Sequence, residues 1–229
     1  MQSISKSVII GIILLVLAVT GALYFIMQNR ASQQATQVNT NANENSTDAS
    51  DSACTGITQS TTEGPYFVRD TAKVADNNLN YTNRPGTRIK VSGYVYAGSD
   101  NAFPLENAKI ELWQTDDEGS YHPNGNGTVT DYKPEDIELR GYVTTDDKGY
   151  YEFTSIYPGY YEGRARHIHA RISADGQKEV ITQIMFQPKP GDGVDLEDDS
   201  IAKALPACHL IQMKEENGLE TGSIDFRLE

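Results

Sequence analysis

The chain has 229 residues, 38% of them hydrophobic and 22% charged, which is enough for one domain with a real core once an atypical N-terminus is set aside. A formal net charge of −13 argues against nucleic acid or an anionic membrane surface as a partner, because both require clustered Lys and Arg.

Residues Val8 to Met27, "VIIGIILLVLAVTGALYFIM", form an uncharged apolar run that, at about 1.5 Å per helical residue, spans a hydrocarbon core of about 30 Å. The run exceeds the apolar stretch of about 7–15 residues in a cleavable signal and lacks an obvious cleavage site. Residues 1–30 are therefore expected to be one transmembrane helix, favoured as an uncleaved anchor over a signal sequence. The following "QNRASQQATQVNTNANENSTDASDSA" (28–53) has one valine, no aromatic residue and no periodicity, so it cannot bury enough apolar surface to offset the entropy of ordering. Residues 31–53 are expected to be a disordered tether. Asn45, Asn80 and Asn126 stand in glycosylation-type triplets, which matter only in a eukaryotic secretory pathway.

The two cysteines, Cys54 and Cys208, stand near the ends of the remaining segment, 54–229. A disulfide between them would close a long loop and suits an oxidising compartment, which places the domain outside the cytoplasm; two separate buried thiols are the alternative.

Within 54–229, short β-branched and aromatic runs alternate with Gly, Asp, Asn and Pro. "RIKVSGYVY" (88–96) places Ile89, Val91, Gly93 and Val95 on one face, the period of a half-buried strand. Further strands are expected over 108–115, 139–145, 149–156, 166–173, 179–186 and 222–228, joined by turns such as "DDEG" (116–119) and "DDKG" (146–149). So many short strands without a convincing soluble helix predict an all-β antiparallel sandwich or barrel.

On a strand, His167 and His169 of "RHIHARIS" project to one face, their Cβ atoms about 6.5–7 Å apart, and can converge on one metal ion. No Asp or Glu in that strand completes a two-histidine, one-carboxylate site. Tyrosines are near instead: Tyr160 and Tyr161 after Pro158-Gly159, and Tyr121 after "DDEGS". A phenol becomes a good anionic ligand only when a strongly acidic cation displaces its proton, as Fe(III) does. His122, next to Tyr121, would point the opposite way on a continuing strand and is left outside the site. The stretch 189–200, "KPGDGVDLEDDS", reads as a solvated acidic loop.

The motifs "TTEGPYFV" (61–68), "IELWQTDDEGSYHP" (110–123), "LRGYVTTDDKGYYEFTSIYPGYYEGRARHIHARI" (139–172) and "ITQIMF" (181–186) together resemble the intradiol ring-cleaving catechol dioxygenases. The resemblance implies a β-sandwich holding a non-haem Fe(III) through Tyr121, Tyr161, His167 and His169, with Tyr121 and His167 equatorial and Tyr161 and His169 axial. It implies a catechol substrate cleaved by O2 between its two hydroxylated carbons, giving a cis,cis-muconic-type acid. In that reading Tyr161 leaves the metal as a base when substrate binds, Arg164 stabilises developing negative charge, and Gln183 lies beside the substrate.

Two departures from the family stand out. Only five residues, "EGRAR" (162–166), separate Tyr161 from His167 where the compared enzymes carry a longer insertion, so a shallower, more open pocket for bulkier catechols is expected. The long helical N-terminal region of catechol 1,2-dioxygenases is also replaced by the tether. Two other readings stay open: a non-catalytic extracytoplasmic sandwich that retains a metal site, and a Zn or Cu site built on the two histidines.

Overall fold

Alternation along β-branched runs decides the architecture, because residues two apart share a face. The computed structural model describes residues 56–99, 102–189, 194 and 196–229. The expected anchor, the tether and Cys54, and with it the Cys54–Cys208 pairing, lie outside the described residues. Among the described residues no helix is long and apolar enough to cross a membrane.

Thirteen strands are formed in this part: β1 (Val68–Arg69), β2 (Arg88–Ala97), β3 (Phe103–Pro104), β4 (Lys109–Trp113), β5 (Gly127–Thr128), β6 (Arg140–Thr144), β7 (Tyr150–Ile156), β8 (His167–Ser173), β9 (Val180–Phe186), β10 (Leu210–Ile211), β11 (Lys214–Glu216), β12 (Leu219–Ser223) and β13 (Phe226–Leu228). One sheet of five strands runs β10–β9–β8–β4–β6. A second of six runs β11–β12–β2–β13, with β3 and β7 also paired to β2. Ile89, Val91 and Val95 of β2 and Phe153 of β7 meet Ile110 of β4 and Ile168, Ala170 and Ile172 of β8 in the main core. Burying each such isoleucine stabilises the fold by about 1.5–3 kcal/mol relative to exposure.

The expectation of a purely antiparallel sandwich is corrected at the edges. β4, β6, β8 and β9 pair antiparallel, as do β2 and β7. However, β10 lies parallel to β9, and β12 and β13 lie parallel to β2, because long connections return the chain in the same direction. The expected strand 222–228 is also divided. A Cβ on Gly93 would lie 1.8 Å from the Ile224 carbonyl oxygen, so the missing side chain lets residues 224–225 bulge against β2. There the Asp225 carboxylate accepts the Tyr94 N–H at 2.9 Å, in place of a backbone carbonyl. A one-turn helix, Ser200–Ala204, is the described α-helix; Asp199 caps it by accepting the N–H groups of Ile201 and Ala202.

Candidate metal centre

The site grows from two turns that can approach only because they contain glycine. After β4 the Asp116 carboxylate accepts the N–H groups of Glu118 and Ser120 at 3.1 and 2.9 Å, closing the turn that delivers Tyr121. Gly119 holds φ +88°, and a Cβ there would lie 1.8 Å from the Tyr160 carbonyl oxygen. A Cβ on Gly159 would meet the Gly119 nitrogen at 2.3 Å. This contact sets the rings of Tyr121 and Tyr161 at 5.5 Å, edge to face. The "EGRAR" connector then turns tightly, Arg164 N–H donating to the Tyr161 carbonyl at 2.7 Å.

The strand β8 supplies the nitrogen donors. Ile168, Ala170 and Ile172 enter the core, so His167 and His169 fall on the opposite face, with ring centroids 4.9 Å apart. Trp113, directly across from His169 on β4, stacks on its ring at 4.8 Å and 8°. The His167 Nδ1 lies 2.7 Å from the Ala165 carbonyl, which can only accept, so the ring proton sits on Nδ1 and Nε2 keeps its lone pair.

Among the buried polar atoms without a hydrogen-bond partner in the described residues, four belong to this cluster: Tyr121 Oη, His167 Nε2, His169 Nδ1 and the indole Nε1 of Trp113, of which the first three belong to residues proposed to bind metal. Those three residues are 3%, 4% and 3% exposed, so each atom has given up water for nothing in return. Burial pushes the Tyr121 phenol up, although Arg140 and Arg164 pull it partly back. Burial, followed by the hydrogen bond with Tyr66, likewise raises Tyr161. Burial and then Arg164 lower His167 to about 4, and burial, His167 and both arginines hold His169 well below the usual imidazole range. Neutral imidazoles and protonated phenols fit a strongly acidic cation, which would take the nitrogen lone pairs and displace the phenol protons. Among the described residues no three His, Cys, Asp or Glu side chains form a metal-holding group. The two histidines would therefore need oxygen donors of another kind, and the tyrosines fit a ferric ion better than zinc or copper.

Arg164 and Gln183 are brought together, the Arg164 Nη2 donating to Gln183 Oε1 at 2.7 Å; Gln183 sits opposite His169 on β9. The other side of the guanidinium donates through Nε to Asp199 Oδ2 at 2.8 Å.

A family model described as a dioxygenase matches residues 62–227. The chain belongs to the intradiol ring-cleavage dioxygenase family. It is 30% identical over 156 residues to a chlorocatechol 1,2-dioxygenase of Rhodococcus opacus, a match covering 58% of each chain. A catechol 1,2-dioxygenase of Acinetobacter lwoffii is likewise 30% identical, over 59% of this chain and 53% of that enzyme. The chain thus spans about half the length of the curated relatives it matches. Among solved structures, the dioxygenase domain of a dioxygenase–carbohydrate-binding fusion from Streptomyces sp. SirexAA-E is 28% identical, with TM-score 0.61, covering 76% of this chain and 98% of that one. An intradiol ring-cleavage dioxygenase from Tetranychus urticae, 24% identical with TM-score 0.62, covers 76% and 95% and shares the fold.

This family member carries three relevant residues that its sequence did not assign. Tyr66 stacks on Tyr121 at 4.4 Å and 16°, and its hydroxyl accepts the Tyr161 O–H at 2.8 Å. It stands in "GPYFV", one of the motifs of the resemblance, but no periodicity or spacing marked it. Asp199, taken for part of a solvated loop, is 1% exposed; it binds Arg164 and the Ala165 N–H while capping the short helix. His122 does not point away from Tyr121's surroundings: β4 ends at Trp113, so strand alternation no longer applies, and the imidazole Nε2 bonds Asp116 at 2.7 Å. His122, Tyr66, Tyr121 and Tyr161 all line a cavity of about 720 Å³; His167, His169 and Arg164 do not.

Proposed function

We propose that the chain is a ferric intradiol dioxygenase that opens catechol-type rings between their hydroxylated carbons, consuming one O2 to give a muconic-type diacid. The observation that carries this reading is the set of buried, unpartnered donor atoms, Tyr121 Oη, His167 Nε2 and His169 Nδ1, near Tyr161. Tyr121, Tyr161, His167 and His169 would hold the iron. Fe(III), when bound, supplies the Lewis acidity that lets the diol lose its protons and the ring react with O2.

The remaining chemistry belongs to the chain. The Ala165 carbonyl fixes the tautomer and ring orientation of His167. Tyr161 would be one of the residues holding the iron, and its hydroxyl, hydrogen-bonded to the Tyr66 hydroxyl, is placed to take up a substrate proton. Arg164, clamped between Asp199 and Gln183, presents a fixed positive charge to negative charge developing on the ring and oxygen. Trp113 and Phe67 back the site with apolar surface that limits water.

A cavity of about 720 Å³ falls within the roughly 300–1,000 Å³ of sites for drug-sized ligands and exceeds what a bare catechol needs. It supports ring-substituted catechols as substrates. We also propose a membrane-tethered, extracytoplasmic placement with a Cys54–Cys208 disulfide, supported by the apolar run at 8–27 and the polar tether. Oxygen uptake by the iron-loaded protein, with one O2 consumed per catechol and a ring-opened diacid identified by mass spectrometry, tests the reaction. Uptake with a quinone as product, or none with any catechol, would refute it.

A further inference from the structure

Resting on that reading of the site, we infer that the cavity selects its catechols by charge, admitting neutral and cationic ring substituents and rejecting anionic ones. Its lining carries four carboxylates, Glu135, Asp136, Glu138 and Glu162, against one guanidinium, Arg84. Arg84 is already engaged: its Nε donates to Glu138, and its Nη1 pairs with Asp116 at 3.2 Å. No cation lining the cavity balances Glu135, Asp136 or Glu162.

The other cations of the neighbourhood do not line it. Arg140 lies behind the Tyr121 ring, its charge directed to the backbone carbonyls of Tyr66, His122 and Pro123. Arg164 is held by Asp199 and Gln183, and Lys133 is not part of the lining. Glu135 and Asp136 sit on an exposed 3-10 turn, Pro134–Asp136, and no described hydrogen bond or ion pair engages their carboxylates. Tyr121 and Tyr161, two of the four residues that would hold the iron, line this cavity, which places the aromatic diol at its inner end. A substituent on a ring bound beside these tyrosines would share the cavity with the four carboxylates. A carboxylate there meets like charge across partly screened water, and an ammonium meets opposite charge.

The test uses three catechols of similar size with the 229-residue chain: 4-ethylcatechol (neutral), dopamine (cationic) and 3,4-dihydroxyphenylacetate (anionic). With the Fe(III) protein, kcat/KM for dopamine exceeds that for the anion by about tenfold at low salt, and the gap narrows as added salt shortens the Debye length. With the protein loaded with redox-inert Ga(III), calorimetric Kd values follow the same order without turnover. The double variant Glu135→Gln/Asp136→Asn narrows the cation-to-anion ratio in both measurements. Equal values for the three compounds, or a preference for the anion, overturn the charge selection while leaving ring cleavage intact. Ordered Kd values on the Ga(III) protein with no ring opening on the Fe(III) protein refute the dioxygenase reading and retain the charge selection.

Discussion

The two faces of β8 are built to opposite rules. Ile168, Ala170 and Ile172 face the other sheet and are fully buried among apolar neighbours, so every atom on that side is satisfied by packing. His167 and His169, one residue away on either side of Ile168, are almost as buried but leave Nε2 and Nδ1 without partners. The comparison teaches that burial alone does not distinguish core from site. The two faces differ in what they bury: apolar side chains on the inner one, and on the outer one two imidazole nitrogens without a partner among the described residues.

The largest effect is expected from a change on the outer face. Tyr121→Phe removes one unpartnered donor and is expected to lower ring-cleaving activity by more than the ~10–100-fold typical of residues that only support metal ligands. The same change removes a buried hydroxyl that nothing satisfies, so the iron-free variant unfolds at the wild-type temperature or slightly above it. Thermal melts with and without a chelator check both halves.

From the inner side, Ile168→Ala is expected to cost about 2–5 kcal/mol of stability. The folded fraction retains the visible spectrum of the ferric protein, which separates the two faces experimentally. Denaturant melts and absorption spectra on one sample provide the check.

Asp199 serves the outer face through a fully paired network, which Asp199→Asn disrupts. It is a positioning residue for Arg164, and its loss is expected to lower kcat about 10–100-fold while leaving the absorption maximum unmoved. Burial pushes the Asp199 carboxyl up, but hydrogen bonds from Arg164, Ala202 and Ala165 outweigh it and hold the group below the usual range. The folded state thus binds its proton less readily than the unfolded state, whose value is about 3.9. The resulting stability is fully present above that value and is lost as pH falls through the folded one. Melts between pH 6 and pH 3 are expected to show a shallower acid decline for Asp199→Asn than for wild type. The smallest effect belongs to the exposed Lys178–Glu229 pair, 3.0 Å apart. Lys178→Ala is expected to change the unfolding free energy by less than about 1 kcal/mol.

The sequence revealed the parts of this arrangement that repeat. Ile89, Val91 and Val95 marked β2 by alternation, and the same period placed both histidines on one face. Tyr121 and Tyr161 were legible through turn motifs of the family. Asp199 was not, because a buried aspartate that caps a helix and binds an arginine looks, in "LEDDS", like its solvated neighbours. Tyr66 was equally silent, since its role comes from a stacking partner 55 positions away in the chain. The division of β12 from β13 depends on the absence of a side chain at Gly93, more than a hundred residues earlier, which no local pattern around 224 expresses.

The most direct test of the central claim, that the unpartnered donors hold ferric iron beside a catechol, is the visible spectrum of the iron-loaded protein. The account predicts a broad tyrosinate-to-iron charge-transfer band that shifts when catechol is added and is lost or displaced in Tyr121→Phe. A colourless iron-loaded protein, or a band unaffected by both catechol and Tyr121→Phe, would contradict it.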